Sequence, residues 1–144
     1  MNHLHHKIIF AGLLSIFCSS CNNKSHDDFQ QNLTGDYTGT FSVVYSDGMT
    51  KSNTASISFT EGNTYSSSGN GNKNDFYPAG GKGTYEMDRS TITFRENDIW
   101  LAHFDWNLIL EGTYNYEKNG DYLTISANKN DIGVYKYVLK KESE

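Results

Sequence analysis

The chain has 144 residues, of which 36% are hydrophobic, and carries 12 basic and 17 acidic side chains for a net charge of −5. Its length suits one domain of ordinary size. The acidic side chains are spread along the chain, whereas a nucleic-acid-binding protein carries clustered basic residues on one face, so we expect no nucleic-acid partner.

Residues 1–20 have the composition of an export signal. Histidine and lysine, without any acid, precede an apolar run of eleven residues at 8–18. A helix needs about 20 residues to cross a hydrocarbon core, whereas the apolar region of a secretory signal has about 7–15. We therefore expect a cleaved signal peptide, and we expect no transmembrane helix, because no comparable apolar run follows.

The end of this segment resembles the lipobox of bacterial lipoproteins, in which small residues precede a cysteine that is modified with lipid. The matching residues are Leu13, Leu14, Ser19, Ser20 and Cys21, and Cys18 stands where the lipobox usually has leucine. The resemblance implies that Cys21 carries acyl chains such as palmitate and is the first residue of the mature protein. It also implies an outer-membrane lipoprotein of the bacterial cell envelope, facing the periplasm or the cell surface. The alternative is an ordinary secretory signal that is cleaved near Ser20.

Cysteine usage agrees with a lipid anchor. Cys18 and Cys21 are the only cysteines in the sequence, and Cys18 lies in the segment that export would remove. The mature protein would therefore keep one cysteine, which excludes a disulfide framework. Residues 21–32 are polar and without periodicity, so we interpret them as a flexible tether between the lipid and a domain at residues 33–144.

The pattern from residue 33 onward is that of short strands joined by turns. Stretches rich in Thr, Tyr, Val, Ile and Phe alternate with Gly, Asn and Asp, and no window has the spacing of an amphipathic helix. Strands are predicted around 37–45, 55–59, 65–68, 83–87, 91–95, 105–116, 122–128 and 134–141, with a long loop over 69–81. A bend is expected at Gly112, inside the sixth strand.

Consecutive antiparallel strands of this kind form a meander, and a meander hides its edges best by closing into a barrel. We therefore expect an all-β domain, built as a single antiparallel up-and-down barrel of about eight strands, in preference to a two-sheet sandwich. Bulky side chains are expected to point inward and fill the interior, as an eight-stranded barrel allows. They are Phe41, Phe59, Tyr85 and Phe94.

The first strand resembles that of lipocalins and their calycin relatives. Gly35-Asp36-Tyr37 corresponds to their Gly-x-Trp signature, with tyrosine in place of tryptophan. The resemblance implies a lipocalin-like barrel over residues 33–144, and it leaves the ligand of any cavity unspecified.

Few residues of the domain offer catalytic or metal-binding chemistry. His103 is its only histidine, and with Asp105 two residues later it could share one face of a strand. One histidine is too few for a usual zinc site, and the glycine-rich stretches precede strands rather than the helix that a phosphate loop requires. We therefore expect a protein that is not an enzyme and that uses no metal and no cofactor.

The aromatic segment 98–107 is the most informative cluster, because it contains both tryptophans of the protein. One interpretation makes it the mouth of a ligand pocket, with aromatic walls and a few polar groups; the other makes it a hydrophobic plug across one end of the barrel. The candidate ligand-binding residues are Tyr37, Trp100, His103 and Trp106. We expect Trp106 to be buried, since it falls in a long predicted strand, and Trp100 to lie nearer a loop.

Two classes of function follow from this sequence. The first is a lipid-anchored binding module for a small apolar or sugar-like ligand. The second is a structural or protein-interaction lipoprotein with a solid barrel, such as an inhibitor or an envelope-assembly subunit. A cavity bordered by the tryptophans would favour the first class, and a packed interior with a large exposed apolar patch would favour the second.

Overall fold

The computed structural model describes residues 32–69, 78–99 and 105–143, and within them the chain forms eight β-strands and one short 3-10 helix. The strands are β1 (Gly35–Tyr45), β2 (Thr50–Thr60), β3 (Thr64–Gly69), β4 (Gly81–Met87), β5 (Thr91–Glu96), β6 (Gly112–Asn119), β7 (Tyr122–Lys129) and β8 (Gly133–Lys141). Each strand pairs antiparallel with the next, and β8 pairs with β1, which closes the barrel. The predicted up-and-down barrel is confirmed, and the sandwich is wrong.

The predicted sixth strand is wrong in its first half. Residues 106–108 form the 3-10 helix, and β6 begins only at Gly112. The backbone amide of Asn107 donates to the carboxylate of Asp105 over 2.9 Å, which caps the helix. Gly112 has a φ of +90°, a conformation that glycine adopts readily. Asp105 and Gly112 therefore take the segment between them out of the path of a strand.

The interior of the barrel follows from the alternation of side chains along each strand. In β8, for example, Tyr135, Tyr137 and Leu139 are buried, while Val134 and Val138 are exposed. The described core contains nine buried aromatic residues: Tyr37, Phe41, Phe59, Tyr65, Tyr85, Phe94, Tyr114, Tyr135 and Tyr137. The four bulky residues that were predicted to point inward are among them, so that prediction is confirmed.

The aromatic rings of the core contact one another across the interior. Tyr65 meets Phe94 edge-on at 4.9 Å between ring centroids, Phe94 meets Tyr114 at 5.7 Å, and Tyr114 meets Tyr137 at 6.4 Å. Phe41 completes the series with a tilted contact to Tyr137 at 4.7 Å. Edge-on pairs are one of the arrangements that aromatic rings prefer. Aromatic side chains from different strands therefore contact one another in the middle of the described barrel.

The two ends of the barrel differ. The loop end carries the connections β1–β2, β3–β4, β5–β6 and β7–β8, including the 3-10 helix. The hairpin end carries the short turns β2–β3, β4–β5 and β6–β7, the last residues of β8, and Leu33, where the described chain enters the barrel. No helix in the described ranges is long and apolar enough to cross a membrane.

Leu33 closes the hairpin end. Its side chain is fully buried, and its backbone amide donates to the hydroxyl oxygen of Tyr85 over 3.0 Å. The same hydroxyl donates to the carbonyl oxygen of Leu33 over 2.9 Å. Both backbone groups of Leu33 are thereby satisfied inside the barrel, so the entry point of the domain is held to a core side chain.

Candidate functional site

The loop end is closed by a buried apolar plug. Leu108, Ile109 and Leu110 follow one another along the β5–β6 connection, and all three are buried. The backbone amide of Ala79, in the β3–β4 connection, donates to the carbonyl oxygen of Leu108 over 3.0 Å. Two connections are therefore joined across the end of the barrel. The aromatic segment 98–107 was interpreted from the sequence either as the mouth of a pocket or as a hydrophobic plug. In the described residues, the plug is formed by the aliphatic residues that follow this segment.

Lys129 holds the plug from inside the barrel. It is the last residue of β7 and continues the inward-facing series that includes Leu123 and Ile125. Its ammonium donates to the carbonyl oxygens of Asn107, at 3.0 Å, and Ile109, at 2.7 Å. The group also lies 5.0 Å from the ring centroid of Tyr114, within the range of a cation–π contact. Burial lowers the pKa of Lys129 to about 8, although Glu111 and Asp105 favour the charged form.

Asp105 joins the same plug to β8. Its Oδ1 accepts hydrogen bonds from the backbone and side-chain nitrogens of Asn107, and its Oδ2 accepts one from the hydroxyl of Tyr135 at 3.0 Å. Asn130 donates to the side-chain oxygen of Asn107 over 2.7 Å. Burial and then the hydrogen bond to Asp105 raise the pKa of Tyr135. That tyrosine therefore stays protonated and acts as a hydrogen-bond donor.

Glu96 fixes the opposite side of the loop end. Its Oε1 accepts from the backbone amides of Lys82, Asn97 and Asp98, each at 3.0 Å. The hydroxyl of Tyr65 lies 2.8 Å from the carbonyl oxygen of Leu110 and 3.1 Å from Oε2 of Glu96. Burial and the neighbouring Glu96 raise the pKa of Tyr65. Like Lys129 and Asp105, this carboxylate bonds to the protein's own backbone.

Of the predicted ligand-binding residues, the structure describes Tyr37 and Trp106, and these two lie at opposite ends of the barrel. Tyr37 is buried near the hairpin end, edge-on to Phe59 at 5.6 Å between centroids, whereas Trp106 lies at the loop end. Trp106 is 58% exposed, so the prediction that it is buried is wrong, because the 3-10 helix replaces the strand that would have turned it inward. Trp100 and His103 lie outside the described residues, as do the signal, the lipobox cysteine Cys21 and the tether up to residue 31.

Sequence reasoning missed the polar side chains that hold the loop end. The signal for Lys129 was present, because β7 alternates Leu123, Ile125 and Ala127 inward and a lysine stands at the next inward position. The partners of Lys129 could not be read from the sequence, since Asn107 and Ile109 are 22 and 20 residues away.

Three of the four connections of the loop end expose apolar side chains among their described residues. Met49 is 55% exposed in the β1–β2 turn, Ile99 88% and Trp106 58% in the β5–β6 connection, and Ile132 40% in the β7–β8 turn. The β1–β2 and β7–β8 turns touch, since the amide of Ser46 donates to the carbonyl oxygen of Ile132 over 3.1 Å. The turns of the hairpin end, at 61–63, 88–90 and 120–121, consist of polar residues and glycine.

Within the described ranges, no group of three or more histidine, cysteine, aspartate or glutamate side chains is placed to hold a metal ion. No protein-family model matches the chain, no curated protein is significantly similar to it, and no solved structure matches its fold significantly. We therefore choose the candidate functional region from the geometry of the described residues alone, and this region is the loop end.

Proposed function

We propose that this protein is a lipid-anchored, non-catalytic outer-membrane lipoprotein whose solid barrel acts through its outer surface, as a protein-interaction or assembly subunit. The observation that supports this choice is the occupied interior. Nine buried aromatic residues fill the described core, Leu33 closes one end, and residues 108–110 close the other. An eight-stranded barrel is just wide enough for its side chains, so a solid core leaves the surface as the place for recognition.

The position of the proposed anchor in the chain determines which end of the barrel would face the membrane. A lipid on Cys21 would connect through residues 22–32 to Leu33, at the hairpin end. A flexible coil of about eleven residues has a root-mean-square span on the order of 20 Å, enough to hold the barrel clear of lipid headgroups. The loop end would then point away from the bilayer that carries the anchor.

The polar side chains of the loop end support a non-catalytic role. Lys129 and Glu96 bind backbone groups of the plug and its surroundings, and Asp105 binds Asn107 and Tyr135. A general acid or base must instead reach a substrate atom within hydrogen-bonding distance. These three side chains act as supports of the loop end.

The anchor is tested by Cys21→Ser in the full chain. We expect the wild-type protein to fractionate with membranes and to carry several acyl chains on its N-terminal cysteine, because one chain alone binds a membrane only marginally. Cys21→Ser should leave the membrane fraction, and Cys18→Ser, the matched control, should remain in it. Mass spectrometry of the mature N-terminus is the decisive measurement. An unmodified terminus at another residue, or a Cys21→Ser protein that stays with membranes, would refute the anchor.

A small-ligand module remains the second candidate because of Ser67. This residue points into the barrel from β3, is only 8% exposed, and has no hydrogen-bond partner for its hydroxyl. A buried hydroxyl without a partner costs about 1–3 kcal/mol, which a small ligand with a polar group could recover. Native mass spectrometry of the protein purified from its own envelope tests this directly. A co-purifying apolar or sugar-like molecule that Ser67→Ala loses would favour the ligand; a Ser67→Ala protein that is as stable as wild type, with nothing bound in either, would exclude it.

A further inference from the structure

We propose that the loop end is a docking surface for a cationic, amphipathic segment of another protein. The proposal rests on the proposed function, in which the anchor leaves this end facing away from the bilayer. It identifies the chemistry of the partner from two features of the surface, the exposed apolar side chains and the sign of the charges around them.

The apolar side chains belong to three connections that converge on one end of the barrel. Met49, Ile99, Trp106 and Ile132 are all exposed there. The outward faces of β1 and β8 continue this surface, because Val44 and Val134 are paired neighbours and both are more than 40% exposed. Apolar residues gathered at one end of a small protein mark an interaction site more reliably than apolar residues scattered singly.

The charges around these residues are mostly negative. Among the described residues of the loop end, the exposed acids are Asp47, Asp98, Glu111 and Asp131. Among the described cations of this end, the exposed Lys82 lies 4.0 Å from Asp98, and the exposed Arg95 is paired with Glu86. The partly exposed Lys51 lies 6.0 Å from the ring centroid of Tyr45, and the ammonium of Lys129 is bound to two carbonyl oxygens inside the plug. A negative rim attracts a cationic partner and repels anionic lipid headgroups or a second copy of the same acidic end. The charge therefore favours a basic protein segment over those two occupants.

The described plug of the loop end is also held in shape before any partner arrives. Residues 105–110 are fixed by Lys129, by Tyr135 through Asp105, and by Ala79 through the carbonyl oxygen of Leu108. A surface that is already ordered loses little conformational entropy on binding. Trp106 is thus presented from a fixed support.

The test uses the intact chain carrying Cys21→Ser, which lacks the lipid whether or not the anchor proposal is right. The probes are two fluorescent synthetic peptides of about five helical turns, or about 18 residues. Both have leucine along one face; the other face carries lysine in the first peptide and glutamate in the second. Fluorescence anisotropy measures the Kd of each. We expect the lysine peptide to bind, the glutamate peptide to bind at least about tenfold more weakly, and added salt to reduce the difference.

Variants locate the binding on the barrel. Met49→Ser with Ile132→Ser should raise the Kd of the lysine peptide by about tenfold, because two apolar side chains leave the contact. The matched control is Val138→Ser, which removes an equally exposed apolar side chain from the middle of β8 and should leave the Kd unchanged. Asp47→Asn with Asp131→Asn should weaken the lysine peptide and flatten its salt dependence. The control for this double variant is Asp88→Asn with Asp121→Asn, which removes two acids from the hairpin end. It should leave the Kd of the lysine peptide and its salt dependence unchanged.

Three results would overturn the proposal. The first is equal binding of both peptides, or binding that the loop-end variants do not change. The second is a stronger association with anionic phospholipid vesicles than with the lysine peptide, which would make the loop end a membrane-binding surface. The third is a dimer in analytical ultracentrifugation that Met49→Ser with Ile132→Ser dissolves, which would make the occupant a second copy. Fractionation of the lipid-bearing protein tests the anchor separately, so either proposal can fail without the other.

Discussion

At the scale of single residues, position within a strand decides which side chains support the fold. Lys129 stands where the alternation of β7 requires an inward residue, and its long aliphatic stem lets the ammonium reach the carbonyl oxygens of the plug. Trp106 shows the opposite case. It is a large apolar residue, yet the 3-10 helix leaves it mostly exposed. Both residues can be tested by measuring the free energy of unfolding of variants.

Replacing Trp106 should hardly affect stability. Exposed side chains away from buried features change the free energy of unfolding by about 0.5 kcal/mol or less, so we expect Trp106→Ala to cost less than about 1 kcal/mol in a urea titration. Phe94→Ala is the matched control, because Phe94 is a fully buried aromatic residue of β5 and should cost roughly 3–5 kcal/mol. A loss at Trp106 as large as that at Phe94 would show that the ring packs in the core.

Lys129 should make stability rise with pH above about 8. Burial lowers its pKa to about 8 in the folded protein, from 10.5. Between these values the unfolded chain binds a proton that the folded protein has released, so the free energy of unfolding increases with pH. Above about pH 10 the direction reverses, because burial holds the pKa values of Tyr114 and Tyr137 above the usual tyrosine value of about 10, and the unfolded tyrosines ionise first.

Urea titrations from about pH 7 to pH 11 measure this profile, which should pass through a maximum near the ordinary tyrosine pKa of about 10. In Lys129→Met, the free energy of unfolding should no longer increase above about pH 8, but it should still decrease above about pH 10. Lys136 lies on the outward face of β8, so Lys136→Met should show the same increase and the same decrease as the wild type. The interpretation fails if Lys129→Met shows the same rise as the wild type.

At the scale of elements, the strands could be predicted wherever alternation and a turn signal coincide. Asp47-Gly48 lies between β1 and β2, and Asn119-Gly120 marks the end of β6 before β7, so both hairpins were predicted from the sequence. The same reasoning failed at residues 105–111, where polar and apolar side chains alternate only as far as Leu108. There the hydrogen bonds of Asp105 to Asn107 and the positive φ of Gly112 override the alternation.

Gly112 should therefore be needed for the entry into β6. Its φ is +90°, and a Cβ added there would meet no other atom within 4 Å, so Gly112→Ala tests the backbone conformation without a steric clash. Holding a residue with a side chain at a positive φ costs on the order of 1–3 kcal/mol. We expect that loss in a thermal or urea unfolding experiment. Ser126→Ala, a partly exposed strand position, is the control and should stay close to wild type. An unaffected Gly112→Ala protein would mean that the connection has another conformation available.

At the scale of the whole molecule, closure of the barrel followed from the sequence, whereas the construction of its loop end did not. Period-two patterning fixes which face of each strand is buried, and short turns fix which strands are neighbours. The bonds of the loop end instead join side chains to backbone groups that are distant in sequence, such as Tyr65 to Leu110 and Lys129 to Ile109. No local pattern encodes such pairs, so the candidate site became visible only with the fold.

The barrel should fold without the signal and without any added group. Its described core consists of buried side chains from all eight strands, so hydrophobic burial can drive folding by itself. A chain that begins near Gln31 should give a β-type circular dichroism spectrum and one cooperative melt. The melt should be unchanged by a strong chelator. A chain that stays unfolded, or a melt that the chelator abolishes, would contradict this.

The position of Leu33 determines how the molecule carries mechanical load. If a lipid holds the chain before Leu33 and a partner holds the loop end, a pull between them runs lengthwise along β1. That strand is paired along nearly its whole length with β2 on one side and with β8 on the other. Force parallel to paired strands must shear many hydrogen bonds at once, whereas force across an end would open them one by one. Resistance to such a pull depends on the rate of unfolding rather than on equilibrium stability. Held in that way, the barrel would be loaded in the orientation in which a β-sheet resists unfolding most strongly.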